Sequence, residues 1–294
     1  MKSSIVIISN PIARASSIDK VRRASDYLRK KGYETELLLS ERKGHAEELA
    51  RDAARKKPGL IIAAGGDGTI NEVLNGMVMS EIPLAILPLG TTNVLARELS
   101  IADTVEGAME QAISGRTRRA SLGRIEALSG KSPVVRHFCI MAGIGFDAKA
   151  VYDVNSTLKK VSGEGAYILS GIHNLIHYYP SELNFSVDGK QHTGFAAIIG
   201  KASRYGGNFK VTPDADISDP FFYLCIFKGR NRADLLRYAA GIIRGTHLRL
   251  KDIIYLKASQ ISITGNAHIQ IDGDHLGTAP ATITIVRDTL SIVC

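Results

Sequence analysis

The sequence predicts an α/β protein of two domains, a Rossmann-like parallel-sheet domain followed by a mostly antiparallel β-rich domain. Two observations predict this. Apolar runs alternate with segments of helical periodicity over about the first 115 residues, which is typical of a parallel sheet covered by helices. Beyond that point helical periodicity is rare and short strand-like runs dominate. We place the boundary at about residue 120, without a long linker.

The first domain is predicted to contain four strands and five helices. Each strand is a short apolar run, and each helix carries apolar residues three to four positions apart. The predicted strands are 4–9, 33–39, 60–64 and 83–88, and the predicted helices are 18–31, 45–57, 70–78, 94–99 and 104–114.

The second domain is predicted to consist mainly of strands. They are short apolar or β-branched runs separated by turn residues. The predicted strands are 134–141, 183–187, 195–199, 221–227, 253–256, 260–264, 268–271 and 281–286, with helices at 166–178 and 233–243.

Composition narrows the possible partners and the compartment. A net charge of +8 suits an anionic partner such as a nucleotide or an acidic membrane surface. The absence of Trp and the few aromatic residues argue against stacking on single-stranded nucleic acid, so no nucleic-acid partner is expected. The three scattered cysteines form no CxxC pair. This cysteine pattern indicates neither a zinc site nor a disulfide framework and favours a reducing compartment, so we expect a cytoplasmic protein. No apolar run approaches the roughly 18 residues of a spanning helix, so any membrane contact is expected to be peripheral.

The most informative segment is the glycine-rich run Gly65-Gly66-Asp67-Gly68-Thr69, which joins a buried strand to a helix. Glycines let backbone N–H groups converge on an anion, and the helix N-terminus favours negative charge. Asp67 would repel a phosphate unless a cation stood between them. The segment therefore predicts a nucleotide triphosphate bound with Mg²⁺. The alternative is a tight turn in which Asp67 caps the helix.

Two more small polar turns follow strands of the same predicted sheet. Asn10-Pro11 follows the first strand, and Gly90-Thr91-Thr92-Asn93 follows the fourth, where either threonine could instead cap a helix. Because parallel strands end at one edge of a sheet, these turns predict a shared pocket. The chain contains no Walker A motif, which excludes a P-loop enzyme.

These motifs, in this order, resemble the diacylglycerol kinase-like lipid kinases, a family that includes the sphingosine kinases. The matching segments are Asn10-Pro11, 40–46, 65–76, 88–99, 143–148, 206–216 and 271–274. The resemblance covers nearly the whole chain. It implies a nucleotide-binding domain over 1–120, completed by 288–294, and a β-sandwich-like lipid-substrate domain over 121–287. It also implies an active site in the cleft between them and phosphoryl transfer from ATP, with Mg²⁺, to a lipid hydroxyl such as that of diacylglycerol.

The resemblance also assigns roles to residues. Asp67 would hold Mg²⁺, and the proton acceptor would lie in the Asp272-Gly273-Asp274 segment. Asp-Gly is equally a common hairpin turn. Asp219 is the candidate ligand of a second metal. The residues implied to line the ATP site are Asn10, Pro11, Ser40, Gly65, Gly66, Asp67, Gly68, Thr69, Glu72, Gly90, Thr91, Thr92 and Asn93.

The chain departs from the family pattern at positions close to the expected metal. Val94 and Ser121 stand where the family usually has acids, and Asp274 replaces the usual Glu. The departures at Val94 and Ser121 leave open a catalytically weak nucleotide-binding regulator. An NAD kinase-type metabolite kinase is a second alternative, because NAD kinases share the Gly-Gly-Asp-Gly-Thr element. Expected partners are a lipid alcohol and an anionic membrane surface, met through 228–232 and Lys159-Lys160, and a homodimer is left open.

Overall fold

The computed structural model describes residues 4–10, 15–146, 148 and 180–294. Pro11, Asp147, Lys159-Lys160 and the helix predicted at 166–178 lie outside these residues. The chain divides into two compact units. Unit 1 comprises Met1–Ser121 with Arg287–Cys294, and unit 2 comprises Leu122–Val286.

Unit 1 contains all nine elements predicted for the first domain, with bounds that differ by at most three residues. They are β1 (Ile5–Ser9), α1 (Ala15–Lys30), β2 (Thr35–Leu39), α2 (His45–Arg55), β3 (Leu60–Gly65), α3 (Asp67–Met77), β4 (Leu84–Pro88), α4 (Val94–Glu98) and α5 (Val105–Ile113). The strands pair in parallel in the order β2-β1-β3-β4. Every residue of β1 and β3 is buried, as expected for central strands covered on both faces.

Helices α2 and α3 pack closely because α3 has a glycine at their contact. A Cβ at Gly76 would lie 2.3 Å from the carbonyl oxygen of Glu47 and 2.8 Å from the Cβ of Ala50. Any larger residue would push α3 away from α2. Gly76 therefore helps to fix α3, whose N-terminus carries the glycine-rich turn.

Unit 2 is mostly antiparallel, as predicted, and two long strands, β5 and β17, cross the boundary between the units. Its elements are β5 (Thr117–Ser129), β6 (Ser132–Phe138), β7 (Met141–Ile144), β8 (Leu183–Val187), β9 (Lys190–Gly194), β10 (Ala196–Gly200), β11 (Arg204–Tyr205), β12 (Phe209–Lys210), β13 (Phe222–Phe227), α6 (Arg232–Ile243), a 3₁₀ turn (His247–Arg249), β14 (Ile253–Ala258), β15 (Gln260–Thr264), β16 (His268–Ile271) and β17 (Asp274–Val293).

The strands of unit 2 enclose one apolar core. One path of paired strands runs β14-β13-β10-β7-β16-β17, and β15 pairs with both β17 and β8. Phe138 and Phe222 stack within the core with ring centroids 5.8 Å apart. The prediction of one continuous strand at 134–141 is wrong, because β6 and β7 are separate strands with an interruption at Cys139 and Ile140.

The end of β17 adds a further parallel strand to unit 1. Ile292 lies opposite Leu84 of β4 in parallel register. The N–H of Cys294 also donates to the carbonyl of Arg116 at 3.2 Å. Over the described part of the chain, the structure has no helix with the length and apolarity needed to span a membrane.

Candidate active site

The register of the parallel sheet aligns the ends of its strands. Ser9 lies opposite both Leu39 and Ala64, and Gly65 lies opposite Pro88. The four strands therefore end at one edge of the sheet. This arrangement brings together four of the residues implied to line the ATP site: Asn10, Ser40, Gly66 and Gly90.

The two glycine turns touch each other. A Cβ at Gly90 would lie 2.6 Å from the Cα of Gly66, and a Cβ at Gly66 would lie 3.2 Å from the Cα of Gly90. The N–H of Leu89 donates to the carbonyl of Gly65 at 2.9 Å. A methyl group at Gly90 would therefore collide with the Gly66 backbone, whereas one at Gly66 would crowd the Gly90 backbone less severely.

Asn93 closes the second turn. It has φ of 47° and is the N-cap residue of α4. Its Oδ1 accepts from the N–H of Gly90 at 2.9 Å, and its Nδ2 donates to the carbonyl of Gly90 at 3.0 Å. The amide thus shapes the turn, whereas Thr91 is exposed and Thr92 half-buried.

The first turn leads directly into α3. Gly66 is the N-cap residue and contributes no capping side chain, and Asp67 is the first helical residue. Gly68 is half-buried, as is Thr69, whose side chain lies so close to Gly65 that a Cβ there would be 2.6 Å away. A helix N-terminus with glycines before it is suited to an anion.

The Asp67 carboxylate reaches across to the second turn. Its Oδ1 accepts from the N–H of Leu95 in α4 at 3.3 Å. Burial raises the pKa of Asp67 above its usual value, while backbone N–H groups and the charge of Arg97 act in the opposite direction. A half-buried carboxylate of this kind fits Mg²⁺, because a dication would relieve the cost of its negative charge.

Two other residues of the implied ATP site are Glu72, whose carboxylate is hydrogen-bonded, and Ser40, which is buried. Glu72 accepts from the N–H groups of Gly44 at 2.8 Å and Ala46 at 3.2 Å, so its carboxylate caps the N-terminus of α2. Ser40 is buried, and its hydroxyl has no hydrogen-bond partner among the described residues. An orphaned buried hydroxyl of this kind is uncommon in proteins.

Asp272 in unit 2 is buried and fully engaged by backbone donors. Its Oδ1 accepts from the N–H groups of Ile140 and Met141, each at 2.9 Å, and its Oδ2 accepts from that of Cys139 at 3.1 Å. These contacts explain the interruption between β6 and β7. Both carboxylate oxygens of Asp272 are therefore occupied by backbone donors.

Asp274 is the more accessible acid of the same hairpin. Asp272 and Gly273 have φ of 48° and 90°, so they form the two-residue turn that the Asp-Gly alternative expected. Asp274 begins β17 opposite Ile271 and is half-buried. The hairpin therefore buries Asp272 and leaves Asp274 partly exposed.

The two departures from the family pattern are both buried. Val94 is 6% exposed at the start of α4, next to the residue that donates to Asp67. Ser121 is 1% exposed, and its Oγ accepts from the N–H of Asp288 at 3.3 Å. Neither site supplies a charge beside Asp67.

A lysine that the sequence patterns did not single out lies beside Asp219. Lys201 is fully buried, and its ammonium donates to the carbonyls of Asp216 at 3.1 Å, Asp219 at 2.6 Å and Phe221 at 3.4 Å. Burial lowers the pKa of Lys201 to about 8, opposed by the charges of Asp219 and Asp216. The available signal was a lone lysine directly after the apolar run Ala196–Gly200.

Comparison with known families identifies both halves of the chain. Residues 4–125 match the diacylglycerol kinase catalytic domain, and residues 140–294 match the YegS C-terminal NAD kinase beta sandwich-like domain. The chain belongs to the diacylglycerol kinase family. It is therefore a kinase, and the predicted α/β and β-sandwich-like fold classes are confirmed.

Individual relatives agree with this assignment. The chain is 35% identical to the diacylglycerol kinase of Bacillus subtilis (strain 168), over 85% of this chain and 82% of the relative. It is 31% identical to that of Staphylococcus aureus (strain bovine RF122 / ET3-1), over 96% of this chain and 89% of the relative. The crystal structure of a diacylglycerol kinase from Bacillus anthracis str. Sterne has the same fold, with a TM-score of 0.67, 19% identity and coverage of 100% and 97%.

Proposed function

We propose that this protein transfers the γ-phosphoryl group of ATP to the hydroxyl of a lipid alcohol, with diacylglycerol as the principal substrate. The observation that carries the proposal is the contact between the turns at Gly66 and Gly90, with Asp67 joining them. Two backbone turns and a helix N-terminus at one sheet edge suit a polyphosphate. The names of the relatives support the acceptor class.

The turns would hold the triphosphate through backbone N–H groups, which glycine exposes to an anion. Asp67 would bind the Mg²⁺ that accompanies ATP, and that ion would neutralise charge on the phosphates. Because Val94 and Ser121 contribute no carboxylate, Asp67 would carry this role with little help from neighbouring acids.

Asp274 is our proposed proton acceptor. In the reaction the lipid O–H gives its proton to the carboxylate, its oxygen forms a bond to the γ-phosphorus, and the bond from that phosphorus to the bridging oxygen of ADP breaks. Asp274 is favoured over Asp272 because Asp272 is buried and already accepts three backbone hydrogen bonds.

A labelling experiment tests the acceptor class. The protein is incubated with γ-labelled ATP, Mg²⁺ and, separately, diacylglycerol in mixed micelles, a sphingoid base in the same micelles, or NAD. We expect label in phosphatidic acid, and none with heat-inactivated protein. Label transferred to NAD alone would instead establish the metabolite-kinase alternative. ATP binding without transfer to any acceptor, including a total lipid extract, would establish the regulator alternative.

We further propose that unit 2 meets an anionic membrane through α6. Leu236, Ala239 and Ile243 recur at helical spacing and are all exposed, one turn after the exposed Arg232. Leu236 and Ile243 are 56% and 65% exposed, which is unusual for large apolar residues. Lys228 and Arg230 precede the helix and Arg244 ends it. An exposed apolar stripe flanked by basic residues is typical of an interfacial helix.

Vesicle co-sedimentation tests this surface. A Leu236→Glu, Ile243→Glu double variant should lose binding to vesicles that contain phosphatidylglycerol, and should keep its activity on diacylglycerol in detergent micelles. Met79→Glu, at a 73%-exposed residue of unit 1, is the matched control and should bind normally. Unchanged binding of the double variant would exclude α6. Analytical ultracentrifugation of the wild type and of the double variant, without vesicles, would show whether the stripe instead joins two copies of the chain in a homodimer.

A further inference from the structure

The loop after β12 surrounds a cation that belongs to the chain itself. The carbonyl oxygens of Asp216, Asp219 and Phe221 converge within 3.4 Å of the Lys201 ammonium. Three oxygens pointing at one positive centre resemble the ligand arrangement of a hard metal ion. In this protein the centre is a nitrogen at the end of a fully buried side chain.

We infer that the Lys201 ammonium is the resident cation of loop 216–221 and that this loop binds no divalent metal. Asp219 is the residue at which a second metal was expected, and its own carbonyl makes the shortest of the three contacts, at 2.6 Å. A dication bound by the same oxygens would face the ammonium at close range, where like charges repel strongly. The donor set therefore does not fit a metal while Lys201 is present.

The remaining acids of the loop do not assemble a second metal site. The Asp216 carboxylate accepts from the N–H of Ser218 at 2.8 Å, within the loop. Within residues 4–10, 15–146, 148 and 180–294, no group of three or more His, Cys, Asp or Glu side chains is arranged to hold a metal. Pro220 also follows Asp219 directly, so the backbone there has one N–H fewer.

Lys201 connects this loop to the Asp272 hairpin. Its backbone N–H donates to the carbonyl of Ile140 at 2.8 Å, and the N–H of Ile140 donates to Asp272 at 2.9 Å. One residue thus holds the loop with its side chain and the Cys139–Met141 segment with its backbone. The Lys201 ammonium thus holds the three carbonyls of the loop together, as a structural metal ion would.

Metal counting on the native fold is the first test. Mn²⁺ ions bound per chain without ATP are counted by electron paramagnetic resonance. Asp67→Asn, which leaves every oxygen of loop 216–221 in place, should bind none, and an ion that remains bound in it would overturn the inference. Wild type and Asp219→Asn should bind equal numbers. Loss of one bound ion in Asp219→Asn would overturn the inference, because the carboxylate would then be a ligand. This comparison leaves Lys201 intact, so it does not depend on whether a Lys201 variant folds.

Replacement of the lysine is the second test. Lys201→Met keeps most of the side-chain volume and removes the ammonium from three carbonyls, of which that of Asp216 keeps another donor, the Asp219 N–H at 3.1 Å. The thermal midpoint should therefore fall by at least about 5 °C. Lys190→Met, at an exposed lysine of β9, should change it by less than about 1 °C. Equal midpoints for the two variants would show that the ammonium does not hold the loop. Failure of Lys201→Met to fold would agree with the inference.

Discussion

The carboxylate of Asp67 is hydrogen-bonded to the backbone N–H of Leu95, although 28 residues separate them. The acid of the first glycine turn is therefore attached to the helix that follows the second. This bond and the contact between Gly66 and Gly90 join the two turns into one unit of structure.

Replacing Asp67 with Asn should lower phosphoryl transfer by about 10²–10³-fold, the usual effect of losing one preorganised electrostatic group. The Asn Oδ1 can still accept from Leu95, so the fold should be retained. The measurement is kcat for diacylglycerol phosphorylation beside circular dichroism. Asp103→Asn, at an exposed residue of unit 1, is the control. A well-folded Asp67→Asn protein with normal kcat would remove Asp67 from the active site.

Asp272→Asn should act chiefly on stability. An amide can keep two of the three backbone bonds, but its NH₂ group would face the N–H of Cys139. An unmatched buried donor costs about 1–3 kcal/mol, so the midpoint of thermal unfolding should fall by several degrees. A variant that unfolds at the wild-type temperature would contradict the role described for Asp272.

Asp274→Asn should act on catalysis instead. Its fold and KM for ATP should stay close to wild type, while kcat falls by about 10²–10⁴-fold as expected for a lost proton acceptor. The two hairpin variants therefore serve as controls for each other. Preserved kcat together with weaker ATP binding would mean that Asp274 contacts the nucleotide and accepts no proton.

Val94→Asp should lower the Mg²⁺ concentration required for half-maximal activity, because a second carboxylate would join Asp67. Val94 is buried, so the new charge should also make the protein less stable in EDTA than in Mg²⁺. Titration of Mg²⁺ at fixed ATP, with Val94→Asn as the neutral control, measures the effect. An unchanged or higher Mg²⁺ requirement would show that position 94 does not face the metal.

The two turn glycines should differ in their tolerance of a methyl group. Gly90→Ala places a Cβ 2.6 Å from the Gly66 Cα and 2.7 Å from the Asn93 Oδ1, whereas Gly66→Ala has 3.2 Å to its nearest neighbour. Overpacking of this kind costs about 1–3 kcal/mol, so the dissociation constant for ATP should rise roughly tenfold or more in Gly90→Ala and less in Gly66→Ala. Equal affinities, measured by calorimetry, would argue that the contact does not shape the ATP site.

Sequence periodicity predicts helices and strands correctly where local apolar patterning determines them. It placed the nine elements of unit 1, but it started α3 at Ile70, because the first turn of that helix contains Asp67, Gly68 and Thr69 and carries no apolar signal. It also missed β9, which is polar. There the Asp188-Gly189 turn, with φ of 47° and 86°, was a usable hairpin signal.

Contacts between distant parts of the chain could not be predicted in this way. The interruption at Cys139 and Ile140 arises from Asp272, more than 130 residues later. Glu72 belongs to the conspicuous glycine-rich segment, yet it caps α2. The partners of Lys201 could not be predicted from the sequence, because these carbonyls reach its ammonium only when the loop after β12 folds around it.

The pairing of Ile292 with Leu84 has a consequence for how the protein is made. Unit 1 draws its last strand from Arg287–Cys294, so this sheet cannot be completed until the ribosome has synthesised all of unit 2. Until then one edge of β4 has unpaired backbone N–H and C=O groups. A strand of another chain can pair with such an edge, which is a recognised route to misassociation. A fragment that stops at Ser121 would retain that exposed edge permanently.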